Sequence, residues 1–260
     1  MSTPSLAELL DVALEAAYLG GRRTLAYFNA GVAVETKADD TPVTRADREA
    51  EEVIRAEILR RYPQHAVVGE ELGEQAGDVR YRWIVDPIDG TKSFIHGAPL
   101  YATLIGVEVE GEAAVGVIHL PALGETVAAA RGLGCRWNGR PCRVSDVKRL
   151  EDATLLTSDA RMAQARSDAY DRLAARAKVV RTWGDAFGYA LVATGRAEVM
   201  LDPAMHPWDS APLLPILQEA GGRFATWEGE ATIWGPDAFA ANAALYGEVL
   251  SVLRTEQRRA

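Results

Sequence analysis

The chain has 260 residues, with 28 Lys+Arg against 37 Asp+Glu and a formal net charge of −9 at pH 7. Its 48% hydrophobic and 25% charged residues are globular proportions and exclude wholesale disorder or collagen-like repetition. No stretch approaches the roughly 18 apolar residues of a membrane span, Glu8, Asp11 and Glu15 stand where a secretory signal would be basic, and the acid excess disfavours non-specific nucleic-acid binding.

These features point to a cytoplasmic protein with no membrane and no nucleic-acid partner. Cys135 and Cys142, with no His or further Cys at zinc-ligand spacing, read as reduced thiols.

The first predicted element is a helix opened by a Ser5/Glu8 capping box, with Leu6, Leu9, Leu10, Ala13, Leu14 and Ala17 at helical spacing. Gly20-Gly21 is expected to bend it, and Glu35–Thr41 to form a polar loop. Thr44 reads as the N-cap of a second helix ending before Pro63. Short apolar strands follow at 66–69, 83–85, 102–110, 113–119 and 126–129, with turns at Gly111 and Asn138-Gly139. Beyond about residue 150 the pattern alternates. Strands are expected at 153–157, 197–201, 224–227 and 238–240, and helices at 168–177, 186–194, 208–220 and 242–253. This succession predicts a layered α/β or α+β protein. With no linker or repeat, residues 1–260 read as one unit of two closely packed subdomains, about 1–145 and 146–260.

Three acidic groups stand at the ends of apolar elements: Glu70-Glu71 after Val67-Val68-Gly69, Asp86 and Asp89 in Trp83-Ile84-Val85-Asp86-Pro87-Ile88-Asp89-Gly90-Thr91, and Asp209 in Trp208-Asp209-Ser210. Clustered carboxylates raise one another's pKa unless a cation compensates. A hard divalent ion with oxygen ligands, Mg²⁺ above all, fits that need. Asp86 and Asp89 are spaced to converge across a turn, and the Ile88 carbonyl can serve as a neutral ligand. Gly90 and Thr91 can present N–H groups to a phosphate. Read alone, the same six residues also describe an ordinary turn after a core strand.

Taken with Gly69-Glu70-Glu71, Trp208-Asp209 and Glu219-Ala220-Gly221-Gly222, the chain resembles, nearly end to end, the inositol monophosphatase family of Mg²⁺-dependent, lithium-sensitive phosphatases. The resemblance implies a layered α-β-α-β-α sandwich of the inositol monophosphatase/fructose-1,6-bisphosphatase type, a homodimer, and two to three Mg²⁺ ions with Mn²⁺ as a possible substitute. It implies that Glu70, Asp86 and the Ile88 carbonyl hold one metal and that Asp86, Asp89 and Asp209 hold a second. It pairs Asp47 with the Thr91 hydroxyl, so that Asp47, Glu70 and Thr91 orient and deprotonate the attacking water. A helix-cap pair is the plainer account of Asp47 and Thr91.

Arg181-Thr182-Trp183-Gly184-Asp185, the stretch 191–198, Asp202-Pro203 and Lys92–Gly97 look most like the histidinol-phosphatase branch. Histidinol phosphate carries an ammonium and an imidazole, and Asp185 and Asp202 would face them. Asp185 also suits a helix cap, Asp202-Pro203 suits a turn, and His206 suits a structural role. The alternatives are an inositol-1-phosphate or broad sugar- and nucleotide-phosphate phosphatase, and a non-catalytic metal-binding regulatory protein.

Overall fold

The computed structural model describes residues 3–37 and 41–255. Its first helix, α1 (Leu6–Leu25), starts at the Ser5/Glu8 capping box and runs unbroken through Gly20-Gly21. The two glycines permit close packing. A Cβ on Gly20 would lie 2.6 Å from Cγ1 of Ile54, and one on Gly21 would lie 2.5 Å from Cδ2 of His119. The stretch Glu35–Thr41 expected as a loop begins as strand, Glu35 and Thr36 lying in β1 (Val34–Thr36), which pairs antiparallel with β2 (Pro42–Thr44). Its residues 38–40 lie outside those described. Thr44 then caps α2 (Arg45–Arg61).

Eight strands form the large sheet: β3 (His65–Gly69), β4 (Gly73–Gln75), β5 (Asp78–Asp89), β6 (Ala102–Val109), β7 (Glu112–Leu120), β8 (Glu125–Ala130), β9 (Gly134–Trp137) and β10 (Arg140–Pro141). Their order is β10-β9-β8-β7-β6-β5-β3-β4. All neighbours are antiparallel except β3 and β5, which run parallel. A short helix, α3 (Thr91–Ile95), follows β5. The strand expected at 83–85 continues through the Asp-Pro-Ile-Asp stretch as part of β5.

The five-stranded sheet contains β11 (Thr154–Thr157), β12 (Val179–Arg181), β13 (Val199–Asp202), β14 (Gly222–Ala225) and β15 (Ala238–Asn242), in the order β12-β11-β13-β15-β14. Its helices are α4 (Ala160–Arg166), α5 (Ala169–Ala174), α6 (Asp185–Ala193), α7 (Pro207–Ser210), α8 (Leu213–Glu219) and α9 (Tyr246–Arg254). The sequence pattern leaves α4 and β12 unannounced because both are too short for a period to show. The helix expected over 208–220 is two helices, broken at Ala211-Pro212. Asn242 ends a strand instead of opening a helix, its side chain donating to the Val147 carbonyl and accepting from the Leu245 amide.

Burial follows five layers. Leu9, Val12, Ile54 and Ile58 of α1 and α2 pack on one face of the large sheet with Trp83, Val85, Ile105 and Val117. The opposite face, carrying Ile84, Leu104 and Ile118, meets Tyr189, Leu213 and Ile216 of α6 and α8, which also cover Leu156, Met200 and Phe224 of the small sheet. Leu155, Val199, Leu201 and Phe239 turn to the outer helices with Leu173, Val249 and Leu253. Alternation along β5, with Trp83 and Val85 on one side and Ile84 on the other, shows a strand apolar on both faces because both are covered. The order is α-β-α-β-α.

The corner between α7 and α8 is seated in a notch made by two glycines. Gly106 and Gly116 are directly paired across β6 and β7. A Cβ on Gly106 would fall 2.5 Å from the Ala211 Cβ, and one on Gly116 would fall 2.1 Å from the Pro212 carbonyl oxygen. That second contact is with backbone, which cannot swing aside. Gly116→Ala should therefore destabilise the fold by about 1–3 kcal/mol, the range for overpacking a core. A urea midpoint equal to that of the unsubstituted protein would contradict the close fit.

Candidate active site

The site is built where β3, β5 and α7 end together. Because β3 and β5 are parallel neighbours, Glu70 leaves its strand beside Asp86, and the Glu70 amide extends the ladder by donating to the Val85 carbonyl at 3.2 Å. In a regular strand Asp86 and Asp89, three apart, would face opposite sides. Here Asp86 pairs with Leu104 but Asp89 with Ala102, so β5 carries one residue more than β6 across the interval. That bulge rephases the strand. Pro87, which has no N–H to lose, occupies it. The Pro87 carbonyl accepts from the Thr103 hydroxyl at 2.9 Å, and the Ile88 amide donates to Asp86 Oδ1 at 2.9 Å.

Asp209 arrives from α7, where its Oδ2 accepts from the His206 amide at 2.8 Å. Asp89 Oδ2 accepts from the Ala186 amide at the start of α6, at 2.6 Å. One oxygen from each of Asp86, Asp89 and Asp209 lies within 4.8 Å of the others.

Three carboxylates at this separation cannot all hold their charge without help. Burial, reinforced by the Glu70, Asp89 and Asp209 charges, pushes the Asp86 carboxyl well above the ordinary range. Burial and the Asp185 and Asp209 charges do the same to Asp89 against the opposing Ala186 N–H. Burial pushes Asp209 up to about 7, with the His206 N–H opposing it. An all-oxygen donor set that is this unfavourable when charged and empty fits a hard divalent cation.

Glu70 and Glu71 share the Lys37 ammonium, at 2.7 and 2.6 Å. Burial would lower the Lys37 pKa, but the two carboxylates outweigh it and the shift is upward. Burial, with Glu70 beside it, lifts Glu71 to about 7 despite Lys37. Sequence reading missed Lys37. It is one basic residue in a polar stretch, and its partners are over thirty positions away.

The Asp47–Thr91 pair is not made. The Thr91 hydroxyl gives its one proton to the Ile88 carbonyl at 3.0 Å. Asp47 Oδ2 accepts from the Thr44 amide and hydroxyl at 2.7 and 2.6 Å. The capping box of α2 is satisfied locally, and Oδ2 of Asp47 is engaged in it. The Ile88 carbonyl, with two lone pairs, can accept from Thr91 and still face a cation.

Gly90 adopts a left-handed φ of +79° and starts α3. A Cβ there would approach Asp185 Oδ2 to 2.9 Å. A pocket of about 330 Å³ over these groups is lined by Glu70, Asp86, Ile88, Asp89, Gly90, Thr91 and Asp209, with Lys37, Trp208 and His206 at its edge. The exposed His206 ring stacks on Trp208 with centroids 4.9 Å apart.

A second pocket, of about 300 Å³, adjoins the first and shares Asp89, Lys92, Asp185 and Asp209 with it. Asp185 and Asp202 both line it. Asp202 is buried and accepts from the Ser158 amide at 3.2 Å, and burial raises its pKa to about 7. Asp185 opens α6 with φ +52° and its amide donates to Ser158 Oγ at 2.7 Å. Gly184 is the N-cap and the Asp185 carboxylate is free of that duty.

The model of the inositol monophosphatase family matches residues 5–258. The chain belongs to the inositol monophosphatase family. Like other members it is a metal-dependent phosphatase. Among its relatives in the family, the histidinol-phosphatase of Chlorobaculum parvum is 43% identical over 253 residues, covering 96% of this chain and 98% of that one. The histidinol-phosphatase of Mycobacterium tuberculosis is 40% identical over 228 residues, covering 85% and 87%. Among solved inositol monophosphatase structures, the IMPase of Thermotoga maritima superposes with a TM-score of 0.87 at 31% identity, covering 95% of this chain and 96% of that chain.

The raised carboxyls fix the sign of a pH effect in the metal-free protein. A carboxyl whose folded pKa exceeds its unfolded value stabilises the fold fully below the unfolded pKa, about 4. That contribution is lost as pH rises toward the folded value of about 7 seen for Asp202 and Asp209. In EDTA, Tm should fall between about pH 5 and about pH 8, and a divalent cation should restore it at the upper end. A Tm that rises over that interval in EDTA would contradict the reading.

Proposed function

We propose that this family member hydrolyses L-histidinol phosphate to L-histidinol and phosphate, with Mg²⁺ (or Mn²⁺ in its place) held by Glu70, Asp86, the Ile88 carbonyl, Asp89 and Asp209. We further propose that it works as a homodimer in the cytoplasm. The observation that carries the substrate assignment is the second pocket. It joins the carboxylate site directly and offers Asp185 and Asp202 to a ligand, where a polyol phosphate would need only neutral hydrogen-bonding groups. A substrate with an ammonium and an imidazole matches those anions in sign. The two histidinol-phosphatase relatives support the same choice.

Divalent ions bound there supply the charge that acidifies water and neutralises the phosphoryl and leaving oxygens. The chain's own groups do the rest. Thr91 Oγ1, its proton committed to the Ile88 carbonyl, presents lone pairs to the attacking water. Glu70, oriented by Lys37, takes that water's proton. The first-turn amides of α3 at Thr91 and beyond have no intrahelical acceptor and face the phosphoryl oxygens, with Gly90 giving the backbone its close approach. Asp185 and Asp202 hold the amino-alcohol end. No side-chain nucleophile enters the scheme, so no phosphoenzyme forms. Asp47, tied into its capping box, contributes through the field it shares with Glu70.

Phosphate release from histidinol phosphate and from inositol-1-phosphate, each with Mg²⁺ and with EDTA, tests the assignment. The histidinol ester should be preferred and EDTA should stop both reactions. Preference for inositol-1-phosphate would sink the substrate assignment, and no release from either ester would favour a non-catalytic metal-binding protein. Asp89→Asn should cut turnover by more than about 100-fold, the upper end of what loss of an outer-shell metal partner costs. Its Tm in EDTA should hold or rise, since one of three repelling charges is gone.

A further inference from the structure

The far wall of the second pocket is organised around Ser158, the residue that follows β11. The Ser158 amide fixes Asp202 and its hydroxyl accepts from the Asp185 amide. The next residue, Asp159, is the N-cap of α4. Its Oδ1 accepts from the Arg161 and Met162 amides at 2.9 and 3.0 Å. Oδ2 takes neither a hydrogen bond nor an ion pair among the described residues, and Lys92, on the same pocket wall, does not reach it. Asp159 is half-buried and lines the pocket with Met162 and Thr182. It does not line the carboxylate pocket, whereas Asp185 lines both. The capping duty therefore occupies one oxygen and leaves a second, oriented anionic acceptor in the second pocket, outside the one that Asp86 lines.

The connectivity of an amino-alcohol phosphate bearing a ring one methylene further out sets where its polar groups fall. Counting bonds of about 1.5 Å, the amino nitrogen lies roughly 3 Å from the ester oxygen and the ring N–H roughly 6 Å from it. The two groups can therefore meet different anions. We infer that Asp159 is a specificity-determining residue whose Oδ2 accepts the ring N–H of the substrate, while Asp185 and Asp202 take the ammonium nearer the reacting centre. This division of labour rests on the histidinol phosphate reading and adds a residue to it. Met162, exposed beside Asp159, gives the ring face a polarisable thioether to lie against.

Asp159→Ser tests the inference, because serine caps a helix as well as aspartate does and removes only the spare carboxylate oxygen. Tm should not move. KM for histidinol phosphate should rise by about tenfold or more, the scale of one lost hydrogen bond to a charged group, while kcat changes far less. The Ki of 2-aminoethyl phosphate, a competitor with the ammonium and no ring, should stay the same. Asp159→Asn, which also keeps the cap, should show the same split if the serine variant is less stable. An unchanged KM, or a KM and Ki that rise together, would overturn the role given to Asp159. Wild-type preference for inositol-1-phosphate would overturn this inference together with the substrate reading. Wild-type preference for the histidinol ester with an unmoved Asp159→Ser would overturn the inference alone.

Discussion

Asp86, Asp89 and Asp209 repel one another, and the fold around them is arranged to hold them together regardless. Each is fixed by backbone donors on rigid elements: Asp86 by the Ile88 amide inside the bulge, Asp89 by the first turn of α6, Asp209 by the amide at the start of α7. None of these bonds neutralises a full charge, so the energy of the assembled site depends on a proton or a cation arriving. The need for a metal and the pH sensitivity expected without one both descend from that one unfavourable juxtaposition. Lys37 shows the same pressure at the edge of the site, where Glu70 and Glu71 share its single ammonium.

The layered α/β character was legible in the succession of helical and strand patterns, whereas the α-β-α-β-α order was implied only by the family resemblance. The aspartates that cluster, Asp86, Asp89 and Asp209, stood out in the sequence because each stands at the end of an apolar run. Position in a strand cannot show, however, that Asp86 and Asp89 face the same way. That follows from a bulge defined by pairing with β6, a strand more than ten residues on. The hydrogen bond expected between Asp47 and Thr91 is absent for a local reason. A Thr44/Asp47 capping box competes for the same carboxylate, and the adjacent partner won. Lys37, Ser158 and Asp159 were illegible because single polar residues in short connections carry no period. Their meaning comes from partners brought by the tertiary fold.

On the proposed function, the two adjoining pockets separate the chemistry from the choice of substrate. The first is made chiefly by the large sheet and α7. The second is closed by residues of the small sheet and its helices: Ser158, Asp185 and Asp202. Changes at the rim of the small sheet can alter which alcohol is accepted without disturbing the carboxylates that handle the phosphate. The chain thus places several of its aspartates in two adjoining cavities.

The notch formed by Gly106 and Gly116 has a mechanical meaning. It seats the backbone at Ala211-Pro212, two residues from Asp209, against the large sheet that carries Asp86 and Asp89. An ion held by all three is a clasp fastened across the seam between the halves. Its binding free energy is felt as cohesion between the layers. The converse holds with equal force. Looser packing at this notch would therefore weaken the grip on an ion held by all three.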